Sequence, residues 1–175
     1  MTPATPAALF AALDRLGIAH RTAEHPATFT VAESKPIKAA IPGAHSKNLF
    51  VKDKKGRLFL VTAKDETPID LKRLHETIGA SGRLSFGTAE QLMTHLGVEP
   101  GSVTPFAVMN DRTGAVTMIL DAALMAHETV NFHPLVNTMT TSIHRDGLVR
   151  FLESTGHPPR ILALPAPALA AEASP

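Results

Sequence analysis

Residues 45–63 read His45-Ser46-Lys47-Asn48-Leu49-Phe50-Val51-Lys52-Asp53-Lys54-Lys55-Gly56-Arg57-Leu58-Phe59-Leu60-Val61-Thr62-Ala63. Two apolar, β-favouring runs flank a short polar turn containing Gly56, which is the signature of a hairpin. No other stretch of the chain gives so clear a two-strand signal, so it predicts a sheet at the centre of the fold. Lys47 and Asn48 stand just before the first apolar run. A lysine there can hold an anion or a carbonyl against a rigid strand, and the pair is expected to form one wall of a ligand pocket. Lys52, Lys54 and Lys55 read as solvated turn residues.

Toward the amino terminus, Ile18 to Ala23 predicts an edge strand, with His20 and His25 as surface polar residues. Thr30-Val31-Ala32-Glu33 has capping-box spacing and starts a helix from Val31 to about Ala40, which Pro36 is expected to kink or restart. Ile37 and Ile41 read either as core contacts or as a pocket wall leading to Lys47. Farther upstream, Leu9, Phe10, Leu13 and Leu16 recur at helical spacing, with Gly17 as a stop.

Toward the carboxyl terminus, Asp70 caps a predicted helix carrying Leu71, Leu74 and Ile78, and Gly82 to Phe86 reads as a short strand. Thr88 and Gln91 repeat the capping-box spacing before a helix that ends at Gly97. Gly97 to Phe106 then holds two Gly and two Pro. Such a loop can bring bare backbone N–H groups to a ligand, or serve as a plain connector. Phe106–Met109 and Ala115–Leu120, flanking Asn110-Asp111-Arg112-Thr113-Gly114, predict a second hairpin. A helical turn at Asp121–Met125, a strand or turn at Thr140–Ile143, a helix at Arg145–Glu153 and a short buried strand at Arg160–Leu164 complete the pattern. The expectation is one α/β domain over residues 7–164: a mixed, largely hairpin-connected sheet or partial barrel surrounded by short helices. Residues 1–6 and the Ala/Pro-rich 165–175 are expected to be flexible ends.

Composition narrows the function. The chain has 175 residues with 44% apolar and 19% charged content, as expected of one soluble globular domain. Seventeen basic and sixteen acidic side chains leave a formal charge of +1, unlike a general nucleic-acid binder, yet a local patch could still engage one end of a nucleic acid. Cysteine is absent, which removes disulfides, thiol catalysis and thiolate metal sites. With no Trp or Tyr, base stacking falls to eight Phe or to His. The sequence offers no signal peptide pattern and no long apolar run, so a cytoplasmic protein without a membrane partner is expected.

Common catalytic motifs are missing: there is no Gly-x-x-x-x-Gly-Lys-Ser/Thr, Gly-x-Gly-x-x-Gly, His-Glu-x-x-His or Gly-x-Ser-x-Gly. His127, His133 and His144 lack metal-ligand spacing, and neither a metal nor another cofactor is expected. What remains is a set of neutral or cationic binding groups: Lys47, Asn48, the Gly101–Pro105 loop, and Asn131, His133 and Asn137. Such groups suit hydrolysis of an already reactive ester by a positioned water, with N–H donors at the developing oxyanion.

His45-Ser46-Lys47-Asn48-Leu49-Phe50, then Gly101-Ser102-Val103-Thr104-Pro105, then Asn131-Phe132-His133-Pro134 with Asn137 and Thr138, resemble in order and spacing the YbaK-like aminoacyl-tRNA deacylases. This is the domain type of the editing insertion of bacterial prolyl-tRNA synthetase. The resemblance runs from about Pro6 to Leu164 and is strongest to the freestanding branch that clears alanine from tRNA(Pro). It implies a trans-editing ester hydrolase whose partner is mischarged tRNA, chiefly its acceptor stem and aminoacylated 3′ end, with transient association with prolyl-tRNA synthetase. It implies that Lys47 engages the terminal adenosine or its phosphate, that the Gly101–Pro105 loop contacts the aminoacyl end, and that His133 lies near substrate. Family members use a substrate ribose hydroxyl and a bound water rather than a side-chain nucleophile. His45, Asn48, Ser102, Val103, Thr104, Pro105, Asn131 and Asn137 join the candidate site, with Val31, Ile37, Ile41 and Met139 as candidate walls of a narrow pocket. Deacylation of Cys-tRNA(Pro) or Ser-tRNA, and a non-catalytic module docking on tRNA or a synthetase, are the alternatives.

Overall fold

The computed structural model describes residues 2–168; Met1 and residues 169–175 of the expected tail lie outside the described residues. The quoted stretch forms β2 (Ser46–Lys52) and β3 (Leu58–Lys64), paired antiparallel with Phe50 opposite Leu60 and Asn48 opposite Thr62. Strand β3 is buried on both faces because its apolar run does not alternate with polar residues. Leu58 and Leu60 enter the main core, while Phe59 and Val61 enter a second, smaller one.

The remaining elements follow in chain order. Before the hairpin come α1 (Pro6–Arg15), β1 (His20–Glu24) and α2 (Val31–Ala40); after it come α3 (Leu74–Ile78), β4 (Ser85–Phe86) and α4 (Ala89–Leu96). A 3-10 helix (Pro105–Asn110), β5 (Val116–Asp121), α5 (Ala122–Met125), β6 (Thr129–Phe132), β7 (Met139–His144), α6 (Arg145–Ser154) and β8 (Arg160–Leu162) complete the chain. Two sheets result, a five-stranded one ordered β4-β2-β3-β5-β8 and a three-stranded antiparallel one ordered β1-β7-β6. β3, β5 and β8 run parallel, so the larger sheet is mixed. The main core gathers α1, α4, the 3-10 helix and α6 over one face of that sheet. There Phe106 makes edge-to-face contacts with Phe132 and Phe151 at centroid distances of 5.6 and 5.5 Å. The second core lies on the other face, where α3 seals Val51, Phe59 and Val61 with Leu74 and Ile78.

Several expectations are corrected. Residues 106–120 are no hairpin. Thr104 caps a 3-10 turn whose residues are mostly buried, and the Asp111 carboxylate collects the N–H groups of Ala115 and Val116 instead of letting a strand pair form. Helix α2 runs through Pro36 without a break, and Glu33 bonds the N–H of Phe29 rather than that of Thr30, so only half of its capping box forms. The box at Thr88 and Gln91 is complete. Helix α3 starts at Leu74, four residues after Asp70. Strand β8 lies at a sheet edge and is half exposed rather than buried. At the amino end, the Ala4 N–H donates to Asn110 Oδ1 and Thr5 caps α1, so residues 4–6 are engaged with the domain. Among the described residues, no helix is long and apolar enough to cross a membrane.

Candidate active site

The two sheets meet where β6 passes the entrance to β2. The Ala44 N–H donates to Thr129 O and the Asn131 N–H to Ala44 O, while Ser46 Oγ donates to Asn131 O. Asn131 is buried, and its amide spans the junction: Nδ2 donates to Pro42 O and Ala44 O, and Oδ1 accepts from Ser142 Oγ. Gly43 is forced by this crossing. Its φ is +107°, and a Cβ there would fall 2.8 to 2.9 Å from Thr129 and the Asn131 amide.

Beside the junction lies a cavity of about 70 Å³, bordered by the segment after β1 and by α2, β2, β6 and β7. A single water needs ~10–15 Å³ of such space, so the cavity accepts a group of a few heavy atoms. Ile37 and Phe132 give it an apolar side, and His25, His45 and His133 reach it from three different segments. Each imidazole is tied to a backbone carbonyl: His25 Nδ1 to Pro26 O at 2.9 Å, His45 Nε2 to Ile41 O at 2.9 Å, and His133 Nδ1 to Met139 O at 2.9 Å. A carbonyl oxygen only accepts, so His133 carries its proton on Nδ1 and keeps Nε2 as an acceptor. Burial lowers the His133 pKa below the usual imidazole value, and His25 and Lys38 push the same way against the opposing Met139 bond. The ring is therefore neutral at pH 7. Hydroxyl protons around the cavity are largely committed: Ser34 Oγ donates to Val31 O, and Thr140 Oγ1 shares a 2.8 Å bond with His25 Nε2.

Ser34, Lys38 and His45 also border a larger open groove of about 660 Å³ beside α2. Lys35, Lys38, Lys47 and Lys64 face Asp65 and Glu66 there, an excess of cations. Lys38 Nζ donates to Asp65 Oδ2 at 2.9 Å, pinning α2 to the end of β3. Burial opposes the Asp65 charge, but the Lys38 hydrogen bond and charge, with His45, outweigh it and hold the carboxyl below its ordinary pKa. Lys47 opens into this groove, and its Nζ donates to Thr67 O. The expectation that Lys47 and Asn48 form one wall is thus corrected. Successive side chains on a strand point to opposite faces, so Asn48 borders the cavity and Lys47 the groove.

The sequence pattern of the aminoacyl-tRNA editing domain matches residues 25–151, spanning α2, the junction and both cavities. The chain belongs to the aminoacyl-tRNA editing domain family. It is 40% identical over 153 residues to the prolyl-tRNA synthetase associated domain-containing protein 1 of Danio rerio, covering 86% of this chain and 83% of that one. It is 34% identical over 151 residues to the prolyl-tRNA editing protein ProX of Acetoanaerobium sticklandii, covering 86% and 92%. A solved structure named as a proposed trans-editing enzyme for prolyl tRNA synthetase shares the fold, with a TM-score of 0.67 at 22% identity, over 94% of this chain and all of that one.

In this editing domain, the Gly101–Pro105 loop touches the cavity only through Asn48, whose Nδ2 donates to Val103 O at 2.9 Å while its Oδ1 accepts from Thr62 Oγ1 at 2.6 Å. Thr104 and Pro105 are buried, and Ser102 is held by Glu99 O. A Cβ placed on Gly101 would lie 3.8 Å from Asn137 Nδ2, so this loop and the 133–138 connection are neighbours. That connection holds Leu135 at φ +71°, a left-handed backbone that costs a leucine about 1 kcal/mol or more. Of the candidate residues, Ile37, His45, Asn48, Asn131 and His133 border the cavity, while Val31 and Lys47 border the groove. Ile41 and Met139 contribute carbonyls that orient His45 and His133, and neither side chain lines the cavity. His25, Thr28, Ser34, Lys38 and Thr140 also border the cavity and are not among the residues the sequence points to. The family's motif order gives no cue for them, and His25 reads locally as a surface residue before Pro26.

Proposed function

We propose that this editing domain hydrolyses the aminoacyl ester of mischarged tRNA, and that alanyl-tRNA(Pro) is its substrate. One observation carries the reading: a cavity large enough for only a few heavy atoms, with a neutral histidine in its wall, adjoins a cationic groove across shared residues Ser34, Lys38 and His45. The cavity takes the amino acid, and the groove takes the single-stranded 3′ end of the tRNA, with Lys47 at its terminal adenosine or phosphate. The names of the two relatives, one a prolyl-tRNA editing protein and the other a prolyl-tRNA synthetase associated domain protein, support the choice of tRNA.

In the reaction, a water attacks the ester carbonyl, the acyl–oxygen bond breaks and the ribose oxygen leaves with a proton. His133 Nε2, free and unprotonated, accepts a hydrogen bond from that water or from the neighbouring ribose hydroxyl. Asn48 retains an amide N–H for the substrate carbonyl, and Ser102, Val103, Thr104 and Pro105 position it. Gly101 and Asn137, neighbours at the start of that loop, support it and do not border the cavity. Asn131 supports the cavity floor, since its two amide protons are already used. Selectivity in this reading is by size: the cavity must exclude the bulkier proline by steric clash, whereas a pocket rejects a smaller group only by lost contacts, ~1–3 kcal/mol per methylene. The apolar side formed by Ile37 and Phe132 suits a methyl group. Prolyl-tRNA synthetase, as the source of the mischarged product, is the transient partner this reading implies.

A panel of Ala-, Ser-, Cys- and Pro-tRNA(Pro) tests it. Release of alanine well above the other three is expected. Faster release of serine or cysteine reassigns the substrate, and binding without release of any amino acid makes the protein a non-catalytic module.

A further inference from the structure

Phe29 is the most solvent-exposed of the large apolar side chains among the described residues, at 82%, and Val31 follows at 78%. Neither is needed by the fold, for α2 buries none of its side chains. The Phe29 N–H donates to Glu33 Oε2 at 2.8 Å, and Thr30 Oγ1 accepts from the Glu33 N–H at 3.1 Å, so the backbone of Phe29 is tied to the first turn of α2. Thr28 borders the small cavity and Val31 borders the cationic groove, so Phe29 lies along the chain between a residue of each.

We propose that Phe29, flanked by Val31, is a stacking platform for an unpaired nucleobase at the 3′ end of an RNA whose phosphates lie in the groove. The occupant follows from what surrounds the ring. A cationic groove with Lys35, Lys38, Lys47 and Lys64 selects a polyanion. A flat, exposed aromatic face two residues from the groove-lining Val31, on a chain without Trp or Tyr, offers a surface on which a base can stack. A folded protein partner would require a wider apolar patch than two neighbouring side chains supply. The inference rests on the reading of the groove as a tRNA 3′-end site, and it adds how the last base is held while the ester lies in the cavity.

The test uses the full chain and a short RNA hairpin ending in single-stranded CCA, with 2-aminopurine replacing the terminal adenine, so it needs no turnover. Stacking quenches that fluorophore. Binding to the wild-type protein quenches it, F29A weakens binding about 5- to 150-fold and abolishes the quench, and F29W restores both, in keeping with ~1–3 kcal/mol per stacked base. Because Phe29 is exposed, the melting temperature of F29A stays that of the wild type. Unchanged affinity and quenching in F29A overturn the platform. Quenching by the wild type without hydrolysis of any aminoacyl-tRNA keeps the platform and rejects the deacylase reading. Equal loss of binding to a blunt duplex lacking the CCA overhang shows that Phe29 acts on something other than an unpaired base and also overturns the proposal.

Discussion

At the scale of single residues, the consequential pair is Lys47 and Asn48. Adjacent letters in the sequence, they serve two compartments because a strand turns neighbours to opposite faces. The apolar letters of the hairpin could have told as much, since Phe50 and Val51 must enter different cores once β3 is buried on both sides. His25 had no such signal: its place in the cavity depends on β1 pairing with β7, a contact over more than a hundred residues. His133 was legible from the family's motif order, but its tautomer was not, since that depends on the Met139 carbonyl. A neutral His133 fixes a pH dependence. Its folded-state pKa lies below the unfolded value near 6.5, so the acid limb of kcat/KM lies below pH 6.5, and activity persists there until the ring gains a proton. H133A is expected to lower kcat by ~100-fold or more and to remove that limb from the profile. A profile identical in H133A and the wild type contradicts the assigned role.

Among the elements, the hairpin and the capped helices were readable because their signals are local: turn residues, caps and apolar runs. The 106–110 segment was misread because a hairpin needs a partner, and Asp111 took up the N–H groups that a turn would have left for pairing. The hairpin's own turn is held by Asp53. Its buried carboxylate accepts from the N–H groups of Lys55, Arg57 and Ser81 and from Arg57 Nε. Burial opposes that charge, yet these bonds hold its pKa down to about 2. A depressed acid stabilises the fold above its unfolded pKa, so this contribution is present above about pH 4 and lost as the pH falls toward 2. D53N is expected to melt at a lower temperature at neutral pH and to lose part of the wild type's change in stability between pH 4 and 2, the rest belonging to other depressed carboxylates such as Asp65 and Asp111. Thermal melts across that range check it. Helix α2 is the opposite case: it buries nothing, and the Lys38–Asp65 pair ties it down. Its amides should exchange with solvent faster than those of α1 and α6, and K38A should speed them further while leaving the rest unchanged. Hydrogen exchange resolved by element decides this, and protection of α2 equal to α6 would contradict it.

For the whole molecule, near-neutrality and function meet in one place. A formal charge of +1 gives no overall basic excess, yet the groove beside α2 concentrates lysines next to the small cavity. Single-domain α/β architecture was legible from the alternation of local signals. The parallel β3-β5-β8 set was not, because crossover pairing leaves no mark in neighbouring residues. The division of labour between groove and cavity is the central claim, and single-turnover release of alanine from Ala-tRNA(Pro) tests it most directly. Wild-type protein should release alanine while leaving Pro-tRNA(Pro) intact, and K47A should require at least about 10-fold more protein for half-maximal rate, the loss of a charged hydrogen bond costing ~1.5–3 kcal/mol. Release of proline as fast as alanine, or full activity of K47A at every protein concentration, would contradict the account.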